Sequence, residues 1–242
     1  LQGAFATATV EDLCFLNKLV RLQRQWCEVP IRFSSNIERP LLVTFCDASW
    51  ANRKDGSSQG GQITVLVDAC VLAGQKSAFS PVGWQSRKLP RVARSSTSAE
   101  VQMRSGSLDN HEFVKQVMLD LFNPKEISHV EIDAVMREVQ SVLVCDAKNL
   151  YDAVNRVESS GLHLEEKRTA IEVLSIRERT RAAGVDLRWV DSDQQCADGL
   201  SKIGAHEQLL RMCQEGCLSL VFDESFTSAK RKRAAISKKR NG

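Results

Sequence analysis

Leu41-Leu-Val-Thr-Phe-Cys-Asp-Ala-Ser-Trp50 is the stretch that most restricts what this chain can become. An apolar run from Leu41 to Cys46, preceded by Pro40, reads as a short buried strand that delivers one carboxylate, Asp47, at its end. The same pattern returns in Ser141-Val-Leu-Val-Cys-Asp146. Between the two, Ser95-Ser-Thr-Ser-Ala-Glu100 has the hydroxyl-rich composition of a helix start, with Glu100 in its first turn or two. If the strands are sheet neighbours and the helix packs across them, three carboxylates converge. Such a group repels itself and normally needs a divalent cation to be tolerable.

The other elements can be read in order. Thr9 and Asp12 form a capping signal for a helix that keeps its period to about Trp26, and Pro30 to Pro40 reads as a linker. Asn52 to Gly61 is turn-rich, Gln62–Val67 alternates as a strand, Cys70–Ser80 reads as a strand plus loop, and Pro81–Arg87 as the next short strand. These connections are too short for helical crossovers, so the first three main strands form an antiparallel meander. A helix follows from Ser95 to about Phe122, with Phe113, Val117 and Leu121 on one stripe. Gly106 and Asp109-Asn110 weaken its middle enough to allow a break. Then come a strand Val142–Cys145, a helix from Ala147 to about Val157, a charged helix Glu165–Ala182, a strand Val185–Val190 and a final helix beginning in Ala197–Lys202. The order predicts an α/β fold with a mixed five-stranded sheet flanked by helices.

Composition narrows the class. The 242 residues are 43% hydrophobic and 26% charged, as in ordinary soluble globular proteins. No apolar run approaches the roughly 18 residues of a membrane span, and no signal peptide opens the chain. The start at Leu1 rather than Met leads us to expect a piece of a longer polypeptide. Eight cysteines lack paired metal-site spacing, and Cys213 and Cys217 have His206 but no His pair to complete a zinc site. Several lie in apolar strands as reduced core residues, which points to an intracellular compartment. Lys230–Arg240 holds seven of the 33 basic residues and no acidic ones, leaving 26 basic against 30 acidic elsewhere. An acidic body confines any nucleic-acid contact to a local patch. The tail is too charged to pack; it fits a disordered nuclear signal or a nonspecific nucleic-acid arm, so cytoplasm and nucleus are the expected locations.

Five short words, in order, resemble the ribonuclease H domain that ends the polyprotein of copia-type LTR retrotransposons. They are Asp47-Ala-Ser-Trp-Ala51, Val82-Gly-Trp-Gln-Ser-Arg-Lys88, Ser95-Ser-Thr-Ser-Ala-Glu100, Asp146-Ala147 and Ala197-Asp-Gly-Leu-Ser-Lys202. Ala8-Thr-Val-Glu-Asp-Leu13 and Asn17-Lys-Leu-Val-Arg21 look like the connecting region after that family's reverse transcriptase. The resemblance implies a helical connection over 1–40, a ribonuclease H-like domain over 41–216 and a basic tail over 217–242. It also departs from the family. Val101 replaces a Tyr, Ser98 a Glu and Ala147 an Asn, and Lys167-Arg-Thr-Ala-Ile-Glu172 lacks the family's His.

What the resemblance implies is cleavage of the RNA strand of an RNA–DNA hybrid by two Mg²⁺ ions, or Mn²⁺, roughly 3.5–4 Å apart. All-oxygen ligands suit these hard cations. Asp47 would bridge the ions, Glu100 and Asp146 would serve one each, and Asp198 would stand at the outer edge. A hybrid and the reverse transcriptase of the same polyprotein are the implied partners. Arg87, Lys88, Arg91 and Arg94 lie between the Trp84 strand and the Glu100 helix, where they could neutralise phosphates. Ser57, Ser58 and Gln59 could hydrogen-bond a 2′-hydroxyl. Trp50 and Trp84 are read as core packing residues, with contact to sugar or base faces as the alternative. Two rival readings share the fold: a degraded relic that binds nucleic acid or a reverse transcriptase without cleaving, and a different nuclease or strand-transfer enzyme.

Overall fold

The computed structural model describes residues 8–122, 136–155 and 166–221. The chain divides into two compact units, Leu1–Ile31 and Arg32–Gly242. In the first, α1 spans Val10–Gln25 behind a full capping box: Thr9 Oγ1 accepts from the Asp12 amide, and Asp12 Oδ2 accepts from the Thr9 amide.

The second unit is built on β1 (Pro40–Ser49), β2 (Gln59–Asp68) and β3 (Ser77–Lys88), an antiparallel meander. The helix α2 (Ser96–Phe122) follows β3 in the described chain, and β4 (Ser141–Cys145) then runs parallel to β1. Next come α3 (Lys148–Asn155), α4 (Lys167–Ala182) and β5 (Val185–Trp189), which lies parallel to β4. A single turn, α5 (Asp198–Ser201), and α6 (Glu207–Glu215) close the fold with a two-residue strand, β6 (Cys217–Leu218). The sheet order is β5-β4-β1-β2-β3-β6. This is the expected α/β arrangement with a mixed sheet flanked by helices, with six strands rather than five. Among the described residues no helix is long and apolar enough to cross a membrane.

Strand alternation divides the core between the two faces of the sheet. Cys46, Ala48 and Leu143 pack with Val101, Met103 and Leu108 of α2 and Val173 and Ile176 of α4. Val43, Phe45, Val142 and Val144 turn the other way, toward Ile63, Val65, Met212 and Leu218. Thr44, on the α2 side, shares a buried hydroxyl contact of 2.8 Å with Thr64 and one of 2.9 Å with His111 Nδ1.

Three expectations are corrected. Ser77–Lys88 is one strand, not a loop followed by a short strand; its register shifts at Thr64/Val65, leaving Val82 as an extra residue beside Pro81. A bulge accommodates a proline, which has no ladder donor to offer. The helix α2 does not break at Gly106, because the Arg87 guanidinium packs against that glycine, where an added Cβ would lie 2.5 Å from Nη2. The compact unit also continues past Gly216, since Leu218 and Leu220 are buried. Pro124, Val157 and the basic tail lie outside the described residues.

Candidate active site

Asp47 ends the hydrophobic part of β1 and is 1% exposed. Glu100 lies in the second turn of α2, a helix whose start is fixed by Ser95 Oγ accepting from the Ser98 amide at 3.1 Å. Asp146 follows the last residue of β4. The parallel β1–β4 register, with Phe45 opposite Val144, brings the two strand ends side by side. One oxygen from each carboxylate lies within 4.8 Å of the others. The three words read from the sequence therefore meet.

The two aspartates are oriented by neighbours. Ser201 Oγ donates to Asp47 Oδ2, and Lys202 Nζ reaches Asp47 Oδ1 at 3.2 Å. Ser192 Oγ donates to Asp146 Oδ2 at 3.0 Å, and the Trp189 indole N–H to the Asp146 carbonyl at 2.9 Å. Gln195, fully buried, donates to the Cys46 carbonyl at 3.1 Å and accepts from the Ala197 amide at 3.2 Å. That side chain pins the segment before α5 to the end of β1. Ser86 Oγ donates to the Leu200 carbonyl at 2.6 Å, and Asn52 Nδ2 to the Ser201 carbonyl at 3.1 Å, which hold α5 from the meander side.

Crowding is visible in the titration behaviour. Burial, then the charges of Asp47 and Asp146, hold Glu100 well above the ordinary carboxylate range. Asp146 is raised by burial and by Asp47. Asp198 is pushed up to about 6 by burial and by Asp47. Burial works against the charge on Lys202, but Asp47 and Asp198 outweigh it and raise its value. Carboxylates this reluctant to ionise together are a natural seat for a cation. Their hard oxygen donors fit Mg²⁺ or Mn²⁺.

Asp198 stands apart from the three. Its Oδ1 accepts from Lys202 Nζ at 2.8 Å, one helical turn on, and the same ammonium reaches Asp47. Lys202, Ser201, Ser192 and Gln195 were missed as site residues. Ser201 and Lys202 end the closing sequence word, which was the available signal; nothing in the sequence singles out Ser192 or Gln195.

The expected substrate-gripping residues are scattered and largely engaged. Lys88 pairs with Asp55 at 2.6 Å, Arg91 with Glu172, and Arg87 lies against α2. Arg94 is exposed, with no ion pair among the described residues. The Ser57 hydroxyl bonds Asp55, while Ser58, buried, accepts from the Ala51 amide at 3.1 Å and braces a turn with positive φ at Ala51. Trp50 and Trp84 are not core residues: they are 49% and 57% exposed, and the Trp50 indole donates to the Ala93 carbonyl at 2.9 Å. All eight cysteines are free, and the metal-competent group among the described residues is the carboxylate trio.

No protein-family model and no curated protein matches the chain. Solved ribonuclease H structures do. LC11-RNase H1, isolated from compost by a metagenomic approach, is 12% identical over 72% of this chain and 99% of its own, with a TM-score of 0.41. The solution structure of the PFV RNase H domain is 14% identical over 74% of this chain and 94% of its own, with a TM-score of 0.37. The foamy viral protease-reverse transcriptase in complex with an RNA/DNA hybrid is 12% identical over 74% of this chain, with a TM-score of 0.39, and the match spans 22% of that longer chain. Strand order and direction carry the fold.

Proposed function

We propose that this chain is a metal-dependent ribonuclease H that hydrolyses the RNA strand of RNA–DNA hybrids, and that it forms the end of a copia-type retrotransposon polyprotein. One observation carries the catalytic reading: Asp47, Glu100 and Asp146 converge from two parallel strand ends and one helix. The five sequence words support the narrower family origin.

Asp47, Glu100 and Asp146 would hold the divalent cations. When bound, such ions lower the pKa of an attacking water and stabilise the departing oxygen. The chain's own contribution is placement. Ser201 and Ser192 fix the rotation of Asp47 and Asp146, Gln195 fixes the strand end beneath them, and Lys202 sets a positive charge beside Asp47. Hydrolysis forms a bond from water oxygen to phosphorus and breaks the bond to the 3′-oxygen, which leaves as a hydroxyl.

The Lys202 ammonium between Asp47 and Asp198 also favours a second reading, a relic that binds a hybrid without cleaving it, because that charge offsets part of the need for a metal. A labelled hybrid incubated with Mg²⁺, Mn²⁺ or chelator, with Asp47→Asn in parallel, separates the two. Cleavage confined to the RNA strand, and lost with chelator and in the variant, is expected. Hybrid binding without cleavage would select the relic; cuts in duplex DNA would select a different nuclease on this fold.

A further inference from the structure

The two sides of the sheet end differently. Toward one, the register of β3 shifts beside Pro81. At the other, β5 has β4 as its sole ladder partner among the described residues, and it contains no proline. Its register runs without a shift from Val185 opposite Ser141 to Trp189 opposite Cys145. The Val190 amide donates to the Cys145 carbonyl at 2.9 Å, so alternation turns the backbone groups of Asp186 and Arg188 toward β4 and those of Val185 and Leu187 outward. Outward N–H and C=O groups on a regular strand are a template for a further strand.

A cavity of about 350 Å³ lies beside that edge, between β5 and the helices α3 and α4. Val154, Val185 and Leu187 give it an apolar wall, and Arg177 and Arg181 give it charge. Val185 and Leu187 pack on the face of the sheet that carries Val173 and Ile176 of α4, so every second side chain of a strand added along β5 would turn toward this space. Arg177 is buried and held in place. Its Nε donates to the Val154 carbonyl at 3.0 Å and its Nη2 to the Ala153 carbonyl at 2.7 Å, leaving Nη1 without a bond among the described residues. Arg181 is exposed and makes no ion pair among the described residues. Arg137 stands at the rim, where a Cβ added to Gly184 would lie 3.0 Å from its Cγ. Three arginines are thus set against one acid in the lining, Asp186. Capping the end of α3 accounts for Arg177, but not for Arg181 or for the outward backbone of β5.

We propose that the β5 edge docks an extended acidic segment of a partner protein. Its backbone would add a strand beside Val185 and Leu187, and one Asp or Glu side chain would enter the cavity and meet Arg177 and Arg181. A nucleic-acid backbone would satisfy the arginines and leave the ladder groups unpaired, so a peptide is the better match. This surface is independent of the nuclease reading.

The test uses the full chain with metal and nucleic acid left out. A displayed library of random peptides about nine residues long is selected on it, and the enriched sequences are synthesised for binding and amide hydrogen exchange. Enrichment of an Asp or Glu flanked by β-branched residues is expected, with exchange at the Leu187 amide slowed about tenfold by the bound peptide. Arg181→Glu is expected to weaken these peptides about tenfold and to favour their Lys counterparts. Replacing the peptide's acid by its amide is expected to weaken binding similarly, and N-methylation of alternate peptide amides to abolish it. No enrichment, selected peptides without an acid, or unslowed exchange at Leu187 would overturn the proposal. Displacement of the bound peptide by single-stranded DNA, or dimerisation through β5 before any peptide is added, would overturn it too, because the occupant would then be nucleic acid or a second copy.

Discussion

Gly61 lies directly opposite Asp47 in the β1–β2 ladder, and the room left by its missing side chain is filled by Leu200. An added Cβ would stand 2.6 Å from Leu200 Cβ, 2.7 Å from its carbonyl carbon and 2.9 Å from the Ala197 carbonyl oxygen. Two of those are backbone atoms and cannot step aside. Gly61→Ala is expected to push α5, and with it Ser201 and Lys202, off Asp47. The cost should be about 1–3 kcal/mol by chemical denaturation. Gly83→Ala is the control, since nothing lies within 4 Å of its added Cβ, and an equal loss there would refute the close-packing account.

Glu100 should weaken the metal-free protein. Its folded value is raised above the unfolded one, so the folded state holds the proton more tightly, and ionisation costs stability as pH rises through the unfolded and then the folded value. In chelator, Glu100→Gln is therefore expected to melt higher than the native chain at pH 8, with the gain fading toward pH 4. Saturating Mn²⁺ should reverse the order at pH 8. A variant that melts lower than the native chain in chelator at pH 8 would contradict this picture.

Lys202 and a divalent cation compete for the same oxygens. A partly exposed ion pair is worth up to about 1 kcal/mol, so Lys202→Met is expected to bind Mn²⁺ about fivefold tighter by calorimetry. Unchanged or weaker binding would mean that Lys202 orients the carboxylates more than it screens them.

His111 should set an acid limit on stability. Burial, reinforced by the charge of Lys115, lowers it from 6.5 to about 3. The unfolded chain thus gains a proton that the folded one refuses, and this contribution to stability falls as pH drops below 6.5. About 2 kcal/mol should be lost between pH 7 and pH 5 on this account. Urea unfolding of His111→Gln should show a correspondingly smaller loss over the same interval; an unchanged slope would place the acid sensitivity elsewhere.

Much of this architecture was written locally. The apolar runs before Asp47 and Asp146 encode neighbouring strands because a buried parallel strand needs little else, and the Ser95 cap announces the helix that carries Glu100. What escaped depends on distant packing. Lys202, just after the single turn α5, pairs with both Asp198 and Asp47, a contact that the closing sequence word does not announce. Gly106 reads as a helix breaker until Arg87 from another strand covers it. The basic residues 87 to 94 read as a patch until Asp55 and Glu172 arrive from elsewhere in the chain. Ser192 and Gln195 carry no local mark, because their partners lie 46 and 149 residues away.

Among the described residues, β3 has an outer ladder partner only at Ser77 and Ala78, with the Ser34 backbone bonded to the Ser80 hydroxyl just beyond, so its second half is an open ladder edge. An edge of that kind is a template on which further copies could polymerise. Here Pro81 removes a donor, Val82 throws the spacing out of step, and Arg87 and Lys88 charge the far end. A chain approaching this edge finds no continuous register to lock into. The irregularity in the middle of β3 thereby acts as a guard against runaway self-assembly.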